Sequence, residues 1–224
     1  LAKGIVKREV IKIVTPGTVT DSSMLDEKNN NYLMSIYADN RHVSISYVDL
    51  STGEFFCTST EAAELITVKN EIARINPAEI VANIEISDIK KQFSSYNLLD
   101  KRYYNLEDCI RRLKRQFGVT NLEGLGIDNE YLARGAGSIL LYLDEIQKVN
   151  LSNINYIRNY SISSFMILDQ STRRNLELSE TIRGKSRKGA LLSVIDRTST
   201  AMGGRKLKNW LEKPLLSTTD INNR

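Results

Sequence analysis

Asp49, Glu71 and Glu79 are the carboxylates whose placement bears on chemistry, and two arginine pairs join them. Asp49 ends the run HVSISYVDL (42–50), and a turn through Gly53 follows. A carboxylate at the end of a central strand, joined by others, can hold two metal ions about 4 Å apart for phosphodiester cleavage. Glu71, however, follows an amphipathic helix pattern and Glu79 flanks a strand. A metal-dependent nuclease centred on Asp49 therefore stands only as an alternative, and Asp49 reads as a turn residue accepting backbone hydrogen bonds. His42 is the only histidine, which argues against a histidine-rich metal site or a Ser–His–Asp triad. Cys57 and Cys109 lie far apart without a CxxC partner, so they read as free buried thiols. GLGID (124–128) and RGAGS (134–138) form neither a dinucleotide fingerprint nor a phosphate loop. Gly135 and Gly137 read instead as sites of close helix packing.

The arginines raise a different question. RRLKR (111–115) sits on an expected helix, with Leu113 and Phe117 toward the core and Arg111, Arg112 and Arg115 toward solvent. In ILDQSTRRNLELSE (167–180), Arg173 and Arg174 follow the N-cap candidates Asp169, Ser171 and Thr172. A basic pair in a first helical turn opposes the helix dipole, at about 0.3–1 kcal/mol per charge. KSRKG (185–189) is a further basic loop able to meet a phosphate backbone. Net charge is +4 overall. Residues 21–100 hold thirteen acids against six bases, a local charge of −7, so the remainder carries +11. Such asymmetry suits a basic DNA-binding module or a surface for an acidic partner.

The elements that must position these groups are legible from periodicity. YLMSIY (32–37) and HVSISYVDL pair as a hairpin through residues 38–41, and a third strand runs over 54–58. Thr60 caps a helix over 61–75, with Ala62, Leu65, Ile66 and Ile72 on one side. Asn76-Pro77 stops it, and EIVA (79–82) returns as a buried strand. Asn105 caps the next helix and Gly118 ends it. Residues 129–149 show the strongest helical pattern. After a polar link (151–164) the chain reads as almost wholly helical, with Trp210 as a core anchor.

Apolar residues make up 41% and charged residues 26% of the 224, as in globular domains. No run approaches the roughly 18 apolar residues of a membrane helix, and no signal-peptide pattern opens the chain. Leu1 stands first, and residues 220–224 stop without a cap or breaker, so we read an internal piece of a longer protein.

IVTPGT (13–18), QFG (116–118), LDQSTRRNLEL (168–178) and DRTSTAMGGRKLKNWLEKPL (196–215), in this order and spacing, resemble the MutS family of DNA mismatch-repair proteins. The resemblance implies that residues 1–18 are the tail of the mismatch-recognition domain and its linker. It implies a connector domain over 19–150, a ribonuclease H-like α/β fold of mixed sheet without nuclease activity. Residues 165–224 would then begin the all-α core, or lever, domain. Full-length members bind mismatched double-stranded DNA, act as ATP-dependent sliding clamps and homodimers, and recruit MutL. The ATP, ADP and magnesium sites would lie outside this chain, leaving it without cofactor or catalytic residue. A cytoplasmic, bacterial setting follows, nucleoid-associated when on DNA. By the same resemblance MutL docks on the helix before QFG, here Glu107, Asp108, Arg111, Arg112 and Arg115. Arg173 and Arg174 would brace the entry into the core, with Leu176 and Ile182 packing along its first long helix.

Overall fold

The computed structural model describes residues 13–146 and 151–223. Most of the opening run GIVKREVIKIV (4–14) lies outside them. Residues 15–18 form a tight turn in which Thr15 and Thr18 cap each other.

The first three strands form the expected meander. β1 (Tyr32–Ala38) and β2 (His42–Asp49) pair antiparallel, and β3 (Glu54–Glu61) pairs antiparallel with β2. β3 runs three residues beyond the expected strand. Thr60 is thereby a strand residue, and its hydroxyl donates to Glu64 at 2.6 Å. The helix that follows, α1 (Leu65–Ile75), starts later than residue 61 and buries Val68, Glu71, Ile72 and Ile75. Leu65 and Ile66 face solvent, a correction to the expected apolar side. Asn76 adopts a left-handed conformation to end α1, a position that asparagine tolerates well.

β4 (Glu79–Ala82) returns parallel to β1, and β5 (Tyr96–Leu98) lies parallel to β4 after the short α2 (Ser87–Gln92). The sheet order is β5-β4-β1-β2-β3-β6, where β6 is Arg158–Asn159, parallel to β3. β2 alone runs against the others. The central order 3-2-1-4-5 with one reversed strand is the ribonuclease H-like arrangement.

Because strand residues alternate faces, the sheet supports two cores. Met34, Ile36, Ile45 and Tyr47 pack with α1 and α2, whereas Leu33, Val48, Phe55 and Val81 pack on the other side. That second side is covered by α3 (Leu106–Phe117) and α4 (Glu130–Ile146). Asn105 caps α3 by accepting from Asp108 N, and left-handed Gly118 ends it. Ser44 and Ser46 are fully buried beneath α4. A Cβ at Gly135 would overlap Ser44 Oγ, and one at Gly137 would lie 2.6 Å from Cys109 Cα. Both glycines therefore set how closely α4 approaches its neighbours.

Residues 151–164 do more than link. Leu151, Ile154 and Ile157 enter the second core, and β6 extends the sheet.

The C-terminal part is less helical than expected. It holds α5 (Gln170–Asn175), α6 (Leu191–Ile195), α7 (Ala201–Glu212) and α8 (Thr218–Asn222). α5 stops after six residues because the chain turns inward at Glu177, which has a left-handed φ of 47°. Leu178 is thereby buried, and its carbonyl accepts from Leu192 N at 2.9 Å. Leu176 and Ile182 stay exposed and do not pack along a long helix. Trp210 is 37% exposed, with Lys206 over its ring, so it is no core anchor.

Candidate functional site at the joint between sheet and helices

Where the C-terminal helices meet the sheet, charged side chains are buried together. Glu71 and Arg74 are one helical turn apart on α1, and their salt bridge leaves each side chain no more than 11% exposed. Arg74 Nε donates to Glu71 Oε2 at 2.8 Å, Nη2 donates to Oε1, and the Tyr160 hydroxyl also donates to Oε1. A buried carboxylate without donors would be costly. Burial pushes the Glu71 pKa up, but the bonds from Arg74 and Tyr160 prevail and hold it below the usual range.

Lys213, just past α7, comes down onto this pair. It is buried, and its Nζ lies 4.7 Å from the ring centroid of Tyr160, 5.3 Å from Phe165 and 5.5 Å from Phe56. Ring faces attract a cation. Burial and the neighbouring Arg74 charge work the other way and pull the ammonium down to about 7. Arg173 closes the same region. Its Nε donates to Leu168 O at 3.0 Å and its Nη2 to Glu212 O at 2.8 Å. The Glu212 carboxyl beside it is raised by burial.

The loop before β1 makes a second anchor. Lys28 Nζ reaches Asp196 at 2.8 Å, Arg187 pairs with Asp26 at 2.9 Å, and Lys208 donates to Asn29 at 2.7 Å. Charges of both signs cross this contact: the loop supplies the base to Asp196 and the acid to Arg187.

The carboxylates named from the sequence do not converge. Asp49 is fully buried. It accepts from Ser51 N and Oγ at 2.8 and 2.6 Å and from Asn30 Nδ2 at 2.8 Å, with Asn31 N and Thr52 N at 3.2 and 3.4 Å. It is the keystone of its turn. Glu71 belongs to the joint. Glu79 accepts from Gly17 N at 3.0 Å, from Tyr142 Oη at 2.7 Å, and from Thr15 Oγ1. Among the described residues no group of three His, Cys, Asp or Glu is placed to hold a metal ion. Burial raises both Cys57 and Cys109 to about 12, so both thiols stay protonated.

On α3, Glu107, Asp108, Arg111 and Arg115 share an outer face, with Arg111 paired to Asp108. Arg112 is a correction: it does not project to solvent. Its side chain is 13% exposed and holds Asp144 on α4, while Nη1 donates to Gln116 at 3.0 Å. The spacing of RRLKR concealed this because Asp144 lies 32 residues away. Of the two arginines expected to brace the entry into the core, Arg173 reaches carbonyls outside its helix, whereas the Arg174 side chain is exposed and has no partner among the described residues.

Two family models match the chain: "MutS domain II" over residues 31–155 and "MutS domain III" over 171–224. The chain belongs to the MutS family. It is 47% identical over its whole length to the DNA mismatch repair protein MutS of Acetivibrio thermocellus, covering 27% of that protein. The MutS proteins of Alkaliphilus metalliredigens and Ruminiclostridium cellulolyticum are 45% and 44% identical, with 27% and 26% of their lengths covered. The chain thus spans about a quarter of the length of these MutS relatives. Among its described residues no helix is long and apolar enough to cross a membrane.

The joint brings together Glu71 and Arg74 from the MutS domain II match, Arg173 and Lys213 from the MutS domain III match, and Tyr160 and Phe165 from between them. Sequence reasoning missed most of it. Tyr160 lies in the stretch that reads as a link, Phe165 at the start of the expected core domain, and Lys213 at a helix end. The one available signal was Glu71 with Arg74, an acid and a base spaced to share one side of a helix.

Proposed function

We propose that this chain is the relay and docking part of a MutS-family mismatch-repair protein. In the whole protein, mismatched DNA would be bound, ATP would convert it into a sliding clamp, and MutL would be recruited. This part carries no catalytic step. It passes movement from the helical core to the sheet domain and offers a face to MutL.

The observation that carries the reading is the buried polar joint of Glu71, Arg74, Lys213 and Arg173. Buried charges of this kind contribute little net stability against an apolar packing, but a mispaired arrangement costs several kcal/mol. Such a joint favours one registered position over its neighbours, which suits a relay. The MutL face is α3, with Glu107, Asp108, Arg111 and Arg115 available and Arg112 fixing α3 to α4. The domain division, with a connector over 19–150 and a core from 165, is part of the same reading. So are the homodimer and a nucleotide and magnesium site elsewhere in the protein.

The test is capture of full-length protein by MutL, with Arg111→Glu and Arg115→Glu together. Reversal of charges in an interface should weaken capture strongly, because like charges placed opposite each other cost several kcal/mol. Unchanged capture would remove the α3 face from the reading.

The nuclease alternative finds no support in the saturated carboxylate of Asp49. The basic-module alternative is favoured by one observation, the gathering of Arg174, Lys185, Arg187, Arg205 and Lys208 around one cleft.

A further inference from the structure

Between α1, the loop before β1 and the C-terminal helices lies a cleft of about 750 Å³. Its walls bring together cations that are distant in sequence: Arg174 from α5, Lys185 and Arg187 from the KSRKG loop, and Arg205 and Lys208 from α7. Glu180 and Glu212 are the carboxylates on the same lining.

Not all of these cations are neutralised. Arg187 has Asp26, and Lys208 has Asn29 and, at 4.0 Å, Glu212. Arg205 donates only to the carbonyl of Glu27, at 3.1 Å. Arg173, which also lines the cleft, meets only carbonyl oxygens, and burial lowers its pKa. Arg174 and Lys185 are exposed, and their side chains have no partner among the described residues. Four positive charges thus face one cleft without a carboxylate bound to any of them.

We propose that this cleft is a polyphosphate site, for a ligand that presents several phosphate groups close together. The ligand is either a free polyphosphate chain or the backbone of a single nucleic-acid strand. The volume falls in the range of small-ligand sites. Closely spaced phosphates supply several charges and many acceptor oxygens in little space, and arginine forks match that geometry. An acidic peptide spreads one carboxylate per residue along a bulkier backbone and fills such a cleft with less charge. Unlike a phosphate loop, this site needs no glycine-rich motif, because its cations arrive from three separate segments.

The test uses this 224-residue chain, with inorganic tripolyphosphate and a short oligothymidylate as probes in calorimetric titrations at low and moderate salt. Binding of either probe, with affinity falling as salt rises, is expected. Tighter binding of tripolyphosphate identifies a free polyphosphate as the source, and tighter binding of oligothymidylate a nucleic-acid strand. The double variant Arg174→Gln with Lys185→Gln should weaken the preferred probe about tenfold or more and flatten its salt dependence. Both residues are exposed, so the thermal midpoint should stay put. Failure of both probes at low salt, a double variant that binds as well as wild type, or stronger binding of a polyglutamate of equal charge would each overturn the proposal. MutL capture reads a different face, so failure here leaves the α3 reading standing.

Discussion

Arg112 on α3 holds Asp144 on α4 through two parallel hydrogen bonds, Nε to Oδ2 at 2.6 Å and Nη2 to Oδ1 at 2.9 Å. One residue earlier, Arg111 is three-quarters exposed and pairs only with its own helix. Neighbouring arginines of one motif thus have separate tasks. Arg112→Ala should lower stability by about 1–2 kcal/mol through lost charge-assisted bonds, whereas Arg111→Ala should change it by less than about 0.5 kcal/mol. Urea unfolding of the two variants measures the difference.

Gly137 offers a test of packing. Alanine would gain up to about 1 kcal/mol of helix propensity. The new Cβ, however, would press on the backbone of Cys109, and overpacking costs about 1–3 kcal/mol. Gly137→Ala should therefore destabilise, with a lower urea midpoint.

Glu79 ties the turn at 15–18 to the sheet. Glu79→Ala would orphan the buried donors of Gly17 and Tyr142, at about 1–3 kcal/mol each, and Glu79→Gln should cost less because it still accepts. Faster hydrogen exchange at the Gly17 amide in Glu79→Ala would locate the effect.

Lys213 makes the joint sensitive to pH. Burial lowers its folded pKa from 10.5 to about 7, so above pH 7 the unfolded chain binds more protons than the folded one. Stability from this group therefore rises between pH 7 and 9, and its cost is fully present below pH 7. Lys213→Met should flatten that rise in urea midpoints taken across the range. At higher pH the thiols of Cys57 and Cys109, both raised to about 12, act in the opposite sense.

Much of the sheet was legible in the sequence because its signals are local. Alternation in Val43, Ile45 and Tyr47, the stop at Asn76-Pro77 and the cap at Asn105 each lie within a few residues of what they determine. The joint was not legible, since Tyr160, Phe165 and Lys213 meet only through tertiary packing. The same holds for Arg112, whose partner is on another helix. Leu176 and Ile182 misled because their spacing suits a helix that the chain leaves at Glu177. Asp49 read correctly as a turn residue, since its donors at Ser51 and Thr52 follow it directly.

The relay itself is tested most directly by replacing the buried pair in the full-length protein, Glu71→Leu with Arg74→Met. An apolar pair of similar volume should preserve folding while removing the charges that register the joint. Capture of MutL on mismatched DNA with ATP should then fall by roughly 5- to 150-fold, the usual size of a coupling between sites, with mismatch binding retained. Full MutL capture by a folded, mismatch-binding double variant would contradict the relay.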